Sequence, residues 1–203
     1  MKKIYTLLMM TFMVMTFTSC EREDEQIART LEGNWEGTMN EYFYSRWGNY
    51  LTGSRCYTYF QFVRTNSTSG YGTEWDQDEY GNEIERSFTW NVNYEYGYDY
   101  YSDYFDIYLR YDSRYYVYDA FQDQEYEYRS GFYDAVIYDA YLSSNSFSGK
   151  MEGSDGALRQ FYLRYSSGLT RAAKRSSMSK KPVIIIDKTK EQTDTTNTRK
   201  TSK

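Results

Sequence analysis

The sequence predicts an all-β fold, an antiparallel meander of strands preceded by one short helix. Tyrosine occurs 26 times in 203 residues, aromatic residues make up 20% of the chain, and proline occurs once. Aromatic residues favour strands, and proline would interrupt them. Apolar and polar residues alternate along short segments joined by turns rich in Gly, Ser, Asn and Asp. The number of segments indicates a closed barrel or a sandwich.

The N-terminus has the layout of a secretory signal, predicted to end at residue 19. Met1-Lys2-Lys3 is charged, and the apolar run at residues 4–18 is too short to span a bilayer comfortably. The run ends in Phe17-Thr18-Ser19-Cys20, which resembles the lipobox of bacterial lipoproteins. The resemblance implies that Cys20 carries acyl chains and anchors the protein at the outer membrane or cell surface. The alternative is an ordinary signal peptide with a chance cysteine.

Residues 20–32 are predicted to form the lipidated cysteine, an acidic tether and a short helix. The acidic run at residues 21–26 resembles the surface-export tether of some Gram-negative lipoproteins. The alternative is a solvated linker whose acids favour the dipole of the following helix. That helix is expected at 24–31, because Ile27, Ala28 and Leu31 have helical spacing. Gly33 ends it.

Residues 33–165 are predicted to form the β domain. The clearest segment is the fourth, in which Phe88, Trp90 and Val92 alternate with polar residues, as in a half-buried antiparallel strand. We expect nine strands, at Asn34–Tyr44, Cys56–Arg64, Tyr71–Asp78, Ser87–Tyr96, Tyr104–Tyr111, Tyr115–Phe121, Phe132–Leu142, Ser146–Met151 and Ala157–Tyr165. The expected connections include a loop at Ser45–Ser54, a tight connection at 112–114 and a polar loop at Gln122–Gly131.

The two ends of this domain suggest a family. The helix, the Gly33-x-Trp35 opening and the final Phe161-Tyr162-Leu163-Arg164 strand resemble lipocalin-like small bacterial lipoproteins. The resemblance implies a closed barrel of about eight strands, with Trp35 packed beneath its floor and the basic side chain of Arg164 covering the Trp35 ring. Glycine on both sides of Trp35, at Gly33 and Gly37, also suits close packing of a large ring, so we predict that Trp35 is a core residue.

Charge is distributed unevenly along the chain. Residues 21–165 carry a net charge of −14, whereas residues 166–203 carry +7. An acidic body argues against nucleic acid as a partner, because phosphate binding needs a basic surface. The segment 166–203 is predicted to be a basic, mostly disordered tail. The apolar run at 183–186 is either an edge strand, added to the barrel or to a partner, or a local apolar patch in that tail.

The sequence contains no histidine, the residue that general-base chemistry usually recruits. Cys56 is a lone thiol on the Phe60 face of its strand, so we expect it to act as a small core residue. Glu74, Asp76 and Asp78 share one face of the third strand, which we interpret as a solvated acidic face. The alternative is a hydrolase that uses a carboxylate pair.

The segment 76–81 resembles the start of a calcium-binding loop. Position five of that loop is Tyr80, and position twelve, where a bidentate acid is needed, is Ser87. We therefore predict a hairpin turn here. Catalytic residues, cofactors and metals are not expected anywhere in the chain.

A tyrosine cluster follows the fourth strand. We predict that Tyr98, Tyr100 and Tyr101, with Asp99 and Asp103 beside them, form a recognition loop. Tyrosine rings offer rigid contact area, and carboxylates accept hydrogen bonds from sugar hydroxyls. The competing interpretation is one long hairpin in which these rings cover the sheet.

These observations predict a non-catalytic, membrane-anchored lipoprotein that works as a binding or interaction module. Its partners would be membrane lipid through Cys20, together with a small apolar ligand in the barrel, or a glycan or envelope protein on its tyrosine-rich surface. The alternatives are a structural envelope lipoprotein without a small ligand, a carboxylate-based hydrolase, and an integral outer-membrane barrel. The last would need an uninterrupted lipid-facing apolar band.

Overall fold

The protein forms a closed barrel of eight antiparallel strands with one short helix, which confirms the predicted all-β class. The computed structural model describes residues 23–44, 50–95, 104–167 and 184–187. Helix α1 spans Glu23–Leu31. The strands are β1 (Gly33–Tyr44), β2 (Tyr50–Arg64), β3 (Ser69–Gln77), β4 (Glu83–Glu95), β5 (Tyr104–Asp119), β6 (Gln124–Arg129), β7 (Tyr133–Leu142), β8 (Ser146–Gly153), β9 (Leu158–Tyr165) and β10 (Ile184–Asp187).

The ring of strands closes in two places. Strands β1 to β5 form a meander, β7 to β9 form a second one, and β1 pairs with β9 while β5 pairs with β7. Strands β6 and β10 lie outside this ring, because β6 pairs with the second half of β5 and β10 pairs with β6. The structure therefore consists of a barrel with a small sheet extending from one rim.

The two ends of the barrel differ. Helix α1 contacts β2, β4 and β7 and lies across the end where β1 begins and β9 finishes, which we call the helix end. The opposite end, called the far end, carries the β3–β4 turn, the β5–β6 turn and the β8–β9 turn. None of the helices in the described residues is long and apolar enough to cross a membrane.

Aromatic rings fill the barrel interior near the helix end. Phe147 and Phe161 have ring centroids 4.9 Å apart, and Phe62 and Phe88 have centroids 5.4 Å apart in an edge-to-face arrangement. These side chains and the aliphatic residues around them are almost completely buried. In the described part of the chain, this region of the barrel is a packed core rather than an open calyx.

Trp35 is a core residue, as predicted. It is fully buried, and its Nε1 donates a hydrogen bond to the Leu31 carbonyl at 2.8 Å, which ties β1 to the last turn of α1. Gly33 has a φ of +135°, and a Cβ there would lie 2.6 Å from the Tyr165 ring. Glycine is needed at this position because the backbone turns sharply and Tyr165 approaches closely.

The predicted role of Arg164 is wrong. Trp35 lies opposite Tyr165 in the β1–β9 register, whereas Arg164 lies opposite Glu36 on the outer face. The Tyr165 ring packs edge-on against the indole, with centroids 5.5 Å apart. Because neighbouring residues of a strand point to opposite faces, an inward Tyr165 requires an outward Arg164.

The segment 112–114 is not a connection, and the polar loop predicted at Gln122–Gly131 contains a strand. Strand β5 runs straight through 112–114, and at this point its pairing changes from β7 to β6. Strand β6 occupies Gln124–Arg129. Both errors have one cause. The second half of β5 and the whole of β6 are polar and partly exposed, so they lack the strong alternation of apolar and polar residues that marks a barrel strand.

One further boundary differs from the prediction. Strand β2 begins at Tyr50, inside the loop expected at Ser45–Ser54, because it pairs with β1 on both sides of an irregularity between Asn40 and Tyr42. Strand β10, within the predicted tail, resolves the two interpretations of the apolar run in favour of an edge strand. It pairs with β6 in parallel orientation.

Candidate functional site

The far half of the barrel interior contains a group of polar side chains that we call the buried ionic cluster. Five strands that neighbour one another around the ring, β4, β3, β2, β1 and β9, contribute to it, as does the start of β7. Its members are Glu41, Thr58, Glu74, Asp76, Arg86, Tyr133 and Arg159.

Glu74 and Asp76 point into the barrel, so the predicted solvated acidic face is wrong. Glu74 exposes 1% of its surface and Asp76 exposes 9%. Strand β3 has Gly72 on the same face, and a Cβ there would lie 2.4 Å from the Phe88 ring in the core. The strand therefore turns its small and acidic residues inward, where Arg86 from β4 faces both acids.

Arg86 connects the two carboxylates of β3. Its Nη1 lies 3.6 Å from Glu74 Oε2 and 3.5 Å from Asp76 Oδ2. The Thr58 hydroxyl donates a hydrogen bond to Asp76 Oδ1 at 2.5 Å. Neither oxygen of Glu74 has a hydrogen-bond partner among the described residues. Burial, and then the neighbouring Glu74 carboxylate, raise the pKa of Asp76 to about 8.

Arg159 forms the second half of the buried ionic cluster. Its Nη2 lies 2.6 Å from Glu41 Oε1 and 3.3 Å from Asp155 Oδ2, and its Nη1 donates to the Tyr133 hydroxyl. Burial opposes the Arg159 charge, but Tyr133 and the surrounding carboxylates outweigh it and raise the pKa of the guanidinium. Burial raises the pKa of Tyr133 to about 12. Arg159 therefore stays charged and Tyr133 stays neutral at physiological pH.

The raised pKa of Asp76 predicts that stability falls as pH rises. Between its ordinary value of 3.8 and about 8, the folded chain holds a proton on Asp76 that the unfolded chain has released. We expect this contribution to be complete below about pH 4 and lost by about pH 8. The measurement is the free energy of unfolding across this range, in which Asp76→Asn should remove the decline. Asp134→Asn, at an exposed aspartate, is the control, and equal pH profiles for the parent and Asp76→Asn would contradict the assignment.

The buried ionic cluster has the geometry of a structural network. Its carboxylates are buried and face arginines, so little of either β3 acid is open to a substrate. Cys56 lies nearby, with its Sγ 3.7 Å from the Met39 carbonyl oxygen. Burial first, and then the charge of Asp76, raise the pKa of this thiol, which disfavours the reactive thiolate.

The hairpin predicted at 76–81 is confirmed. Asp78 Oδ1 accepts hydrogen bonds from the backbone N–H of Tyr80 at 2.9 Å and of Asn82 at 2.8 Å, so the carboxylate holds the β3–β4 turn together. Across the described ranges, no group of three or more His, Cys, Asp or Glu side chains is arranged to hold a metal ion.

A second candidate site lies on the outside of the barrel. Strands β4, β5, β7 and β8 form a groove of about 890 Å³, which we call the outer groove. Its outward side chains are aligned across the strands by register, as Asn91 lies opposite Tyr108, which in turn lies opposite Val136. The polar and aromatic groups that line it include Asn91, Asp106, Tyr108, Arg110, Asp134, Tyr138 and Glu152.

The outer groove combines ring surface with hydrogen-bonding groups. Tyr108 exposes 44% of its surface, and Phe132, which contacts the groove residue Arg110, exposes 64%. The Arg110 guanidinium lies 4.9 Å from the centroid of the Phe132 ring and 3.8 Å from Asp134. Three acidic side chains and one arginine line the groove, so its charge favours a neutral or cationic ligand over an anionic one.

The structure does not describe the site residues predicted from sequence. Cys20 and the predicted recognition residues Tyr98, Asp99, Tyr100, Tyr101 and Asp103 lie outside the described residues. The backbone on either side of the segment 96–103 is described, and Glu95 pairs with Tyr104 at the helix end of the barrel.

Sequence reasoning missed both sites, although the sequence contained a signal for the buried ionic cluster. Extending the alternation of β4 back from Phe88 places Arg86 on the inward face, and extending that of β9 back from Phe161 does the same for Arg159. Two arginines on apolar faces would have indicated buried carboxylate partners. The sequence contains no comparable signal for the outer groove. The groove is formed by side chains of different strands, and a sequence does not show which strands neighbour one another.

Comparisons with known proteins found no family model and no curated protein that matches the chain. Among solved structures, a redesigned β-barrel matches with a TM-score of 0.39 and 15% identity, covering 70% of this chain and 96% of the designed one. Similarity at this level carries no argument about function.

Proposed function

We propose that this protein is a lipid-anchored, non-catalytic binding protein that holds a neutral glycan in its outer groove. The observation that carries the proposal is the position of Tyr108, an exposed ring in a groove that also presents an amide, an arginine and carboxylates. Ring faces stack on the apolar side of a sugar, and the polar groups exchange hydrogen bonds with its hydroxyls.

The packed core supports a ligand on the outside rather than inside. Phe60, Phe62 and Phe147 fill the helix half of the barrel, and charged groups that pair with one another occupy the far half. A small apolar ligand would have to displace these side chains. The buried and neutralised carboxylates likewise support a binding role over hydrolysis.

A water-facing outer surface supports an anchored protein rather than an integral membrane barrel. Arg110 and Asp134 are both more than 60% exposed on the outer face, where an integral barrel would carry an apolar band. In the proposal, acylated Cys20 holds the protein at the outer membrane or cell surface. Helix α1 begins three residues after Cys20, so the helix end would face the membrane and leave the outer groove on the side of the barrel.

The anchor is tested by replacing Cys20 with Ser. We expect the variant to move from the membrane fraction to the soluble fraction, because the acyl chains supply the membrane affinity. Cys56→Ser, which changes the other cysteine of the chain, is the control and should stay with the membrane. A Cys20→Ser protein that remains as membrane-bound as the parent would show that the anchor lies elsewhere.

The binding role of the outer groove is tested with Tyr108→Ala. The probes are soluble β-glucan, mannan, chito-oligosaccharides and peptidoglycan fragments, and the measurement is affinity by calorimetry. Loss of one stacked ring should weaken binding by up to about tenfold, since such contacts contribute roughly 0.5–1.5 kcal/mol.

The matched control is Tyr162→Ala, which removes a tyrosine that is 57% exposed on β9, away from the outer groove. Its affinity should equal that of the parent. Equal losses for the two variants, or binding that survives Tyr108→Ala unchanged, would place the glycan site outside the groove.

A further inference from the structure

Strand β6 offers an edge that the closed barrel does not. Each barrel strand has a neighbour on both sides, so main-chain groups around the ring are paired. Strand β6 stands beyond the ring, with β5 on one side and only the four residues of β10 on the other. An exposed strand edge is a site at which another extended segment can add.

The chain itself shows which segment fits this edge. Ile184 lies opposite Tyr126 and Ile186 lies opposite Tyr128 in parallel register. The stacked rings of Tyr115 and Tyr128, with centroids 5.2 Å apart and planes 10° apart, help to hold β6 on β5 as a flat support. An extended segment rich in β-branched residues therefore matches the edge in both register and side-chain character.

Strand β10 is held loosely. Ile184 and Ile185 remain 47% and 56% exposed, so little apolar surface is buried when the strand adds. Its only substantial contacts among the described elements are with β6. A four-residue strand that relies mainly on main-chain pairing with one neighbour has few contacts to prevent its release.

The connection to β10 is long enough to reach a second molecule. Residues 166–183 separate the end of β9 from β10, and eighteen residues can extend on the order of 60 Å. The tail carries +7 and the body −14, so the tail is attracted to the body of its own copy and to that of another copy alike. A second copy presents the same β6 edge, and its contacts with the incoming strand would be identical.

We propose that the β10 strand exchanges between copies of this chain, so that the tail of one copy adds to β6 of its neighbour. Reciprocal exchange gives a closed two-fold dimer without any new contact type. Pairing within one chain benefits from an effective concentration on the order of millimolar. Exchange should therefore become extensive as the protein concentration approaches that value. The inference is independent of the proposed glycan binding.

The test is disulfide trapping between two differently tagged full-length chains. One chain carries Glu127→Cys and the other carries Ile185→Cys, because positions 127 and 185 lie opposite each other in the β6–β10 register. The two are mixed at about 10 μM and about 1 mM and oxidised with diamide, and mixed-tag dimers are counted by mass. The matched control replaces Glu127→Cys by Glu152→Cys, at an exposed glutamate on β8. A single chain carrying both Glu127→Cys and Ile185→Cys reports pairing within one molecule.

We expect mixed-tag dimers from the 127–185 pair to rise at least tenfold between the two concentrations and to exceed those of the 152–185 control at both. Adding Ile186→Pro to the Ile185→Cys chain should reduce the yield to that of the control, because proline disrupts the strand. Equal yields for the two pairs would indicate random collision and overturn the proposal. A disulfide that forms only within the doubly substituted chain, or in none of the samples, would also overturn it.

Discussion

Trp35→Ala is expected to lower the free energy of unfolding by about 3–5 kcal/mol, the range for loss of a fully buried aromatic ring. The indole is fully buried at the helix end, packs against Phe147 and Tyr165, and joins α1 to β1 through its hydrogen bond to Leu31. Its removal would leave a cavity between the helix and the barrel. For a domain of this size, the melting temperature should fall by roughly 10 °C.

Two further variants separate packing from hydrogen bonding at this position. Trp35→Phe keeps most of the ring volume but loses the Nε1 donor, so it should lie between the parent and Trp35→Ala. Tyr162→Ala removes an exposed ring from the neighbouring strand and should change stability by less than about 0.5 kcal/mol. A Trp35→Ala protein as stable as Tyr162→Ala would show that the indole is not part of the core.

Arg159→Met is expected to destabilise the protein by about 3–5 kcal/mol, the usual cost of breaking a buried ion pair from one side. The Arg159 side chain is only 8% exposed and faces Glu41, Asp155 and Tyr133. Without the guanidinium, the Glu41 carboxylate would stay partly buried with no opposing charge. Denaturant unfolding at neutral pH measures the loss.

The double variant Arg159→Met, Glu41→Gln tests that explanation. Neutralising the orphaned acid should restore part of the lost stability, which a double-mutant cycle measures as a coupling energy. Arg110→Met is the matched control, because Arg110 also faces a carboxylate, that of Asp134, but is 63% exposed, and it should cost less than about 1 kcal/mol. Equal costs at Arg110 and Arg159 would argue against a buried network.

The barrel strands could be predicted because each has one buried face and one exposed face, so apolar and polar residues alternate along its sequence. Phe88, Trp90 and Val92 are all buried and Thr89 and Asn91 are exposed, as the period of two requires. The same reasoning failed for β6, where both faces are partly exposed and Tyr126 alternates with Glu125 and Glu127 without a clear apolar side. Pairing with β5 and β10, rather than burial, makes that segment a strand.

The faces of β3 were assigned wrongly because polarity was taken as a guide to exposure. Trp75 points outward and is covered there by Tyr57 and by a hydrogen bond from its Nε1 to Glu83 at 3.2 Å, while Glu74 points inward to Arg86. A single strand does not reveal its partners. Only the register between β3 and β4, in which Glu74 lies opposite Arg86, makes an inward carboxylate tolerable.

The central claim is that this barrel binds its ligand on the outside, and backbone NMR of the isotope-labelled chain tests it most directly. Titration with the glycan that binds tightest should shift the amide signals of Asn91, Tyr108, Arg110 and Val136, leave those of Phe60 and Phe147 in place, and leave the glycan intact. Shifts concentrated in the core residues or in Glu74 and Asp76, or cleavage of the glycan during the titration, would contradict it.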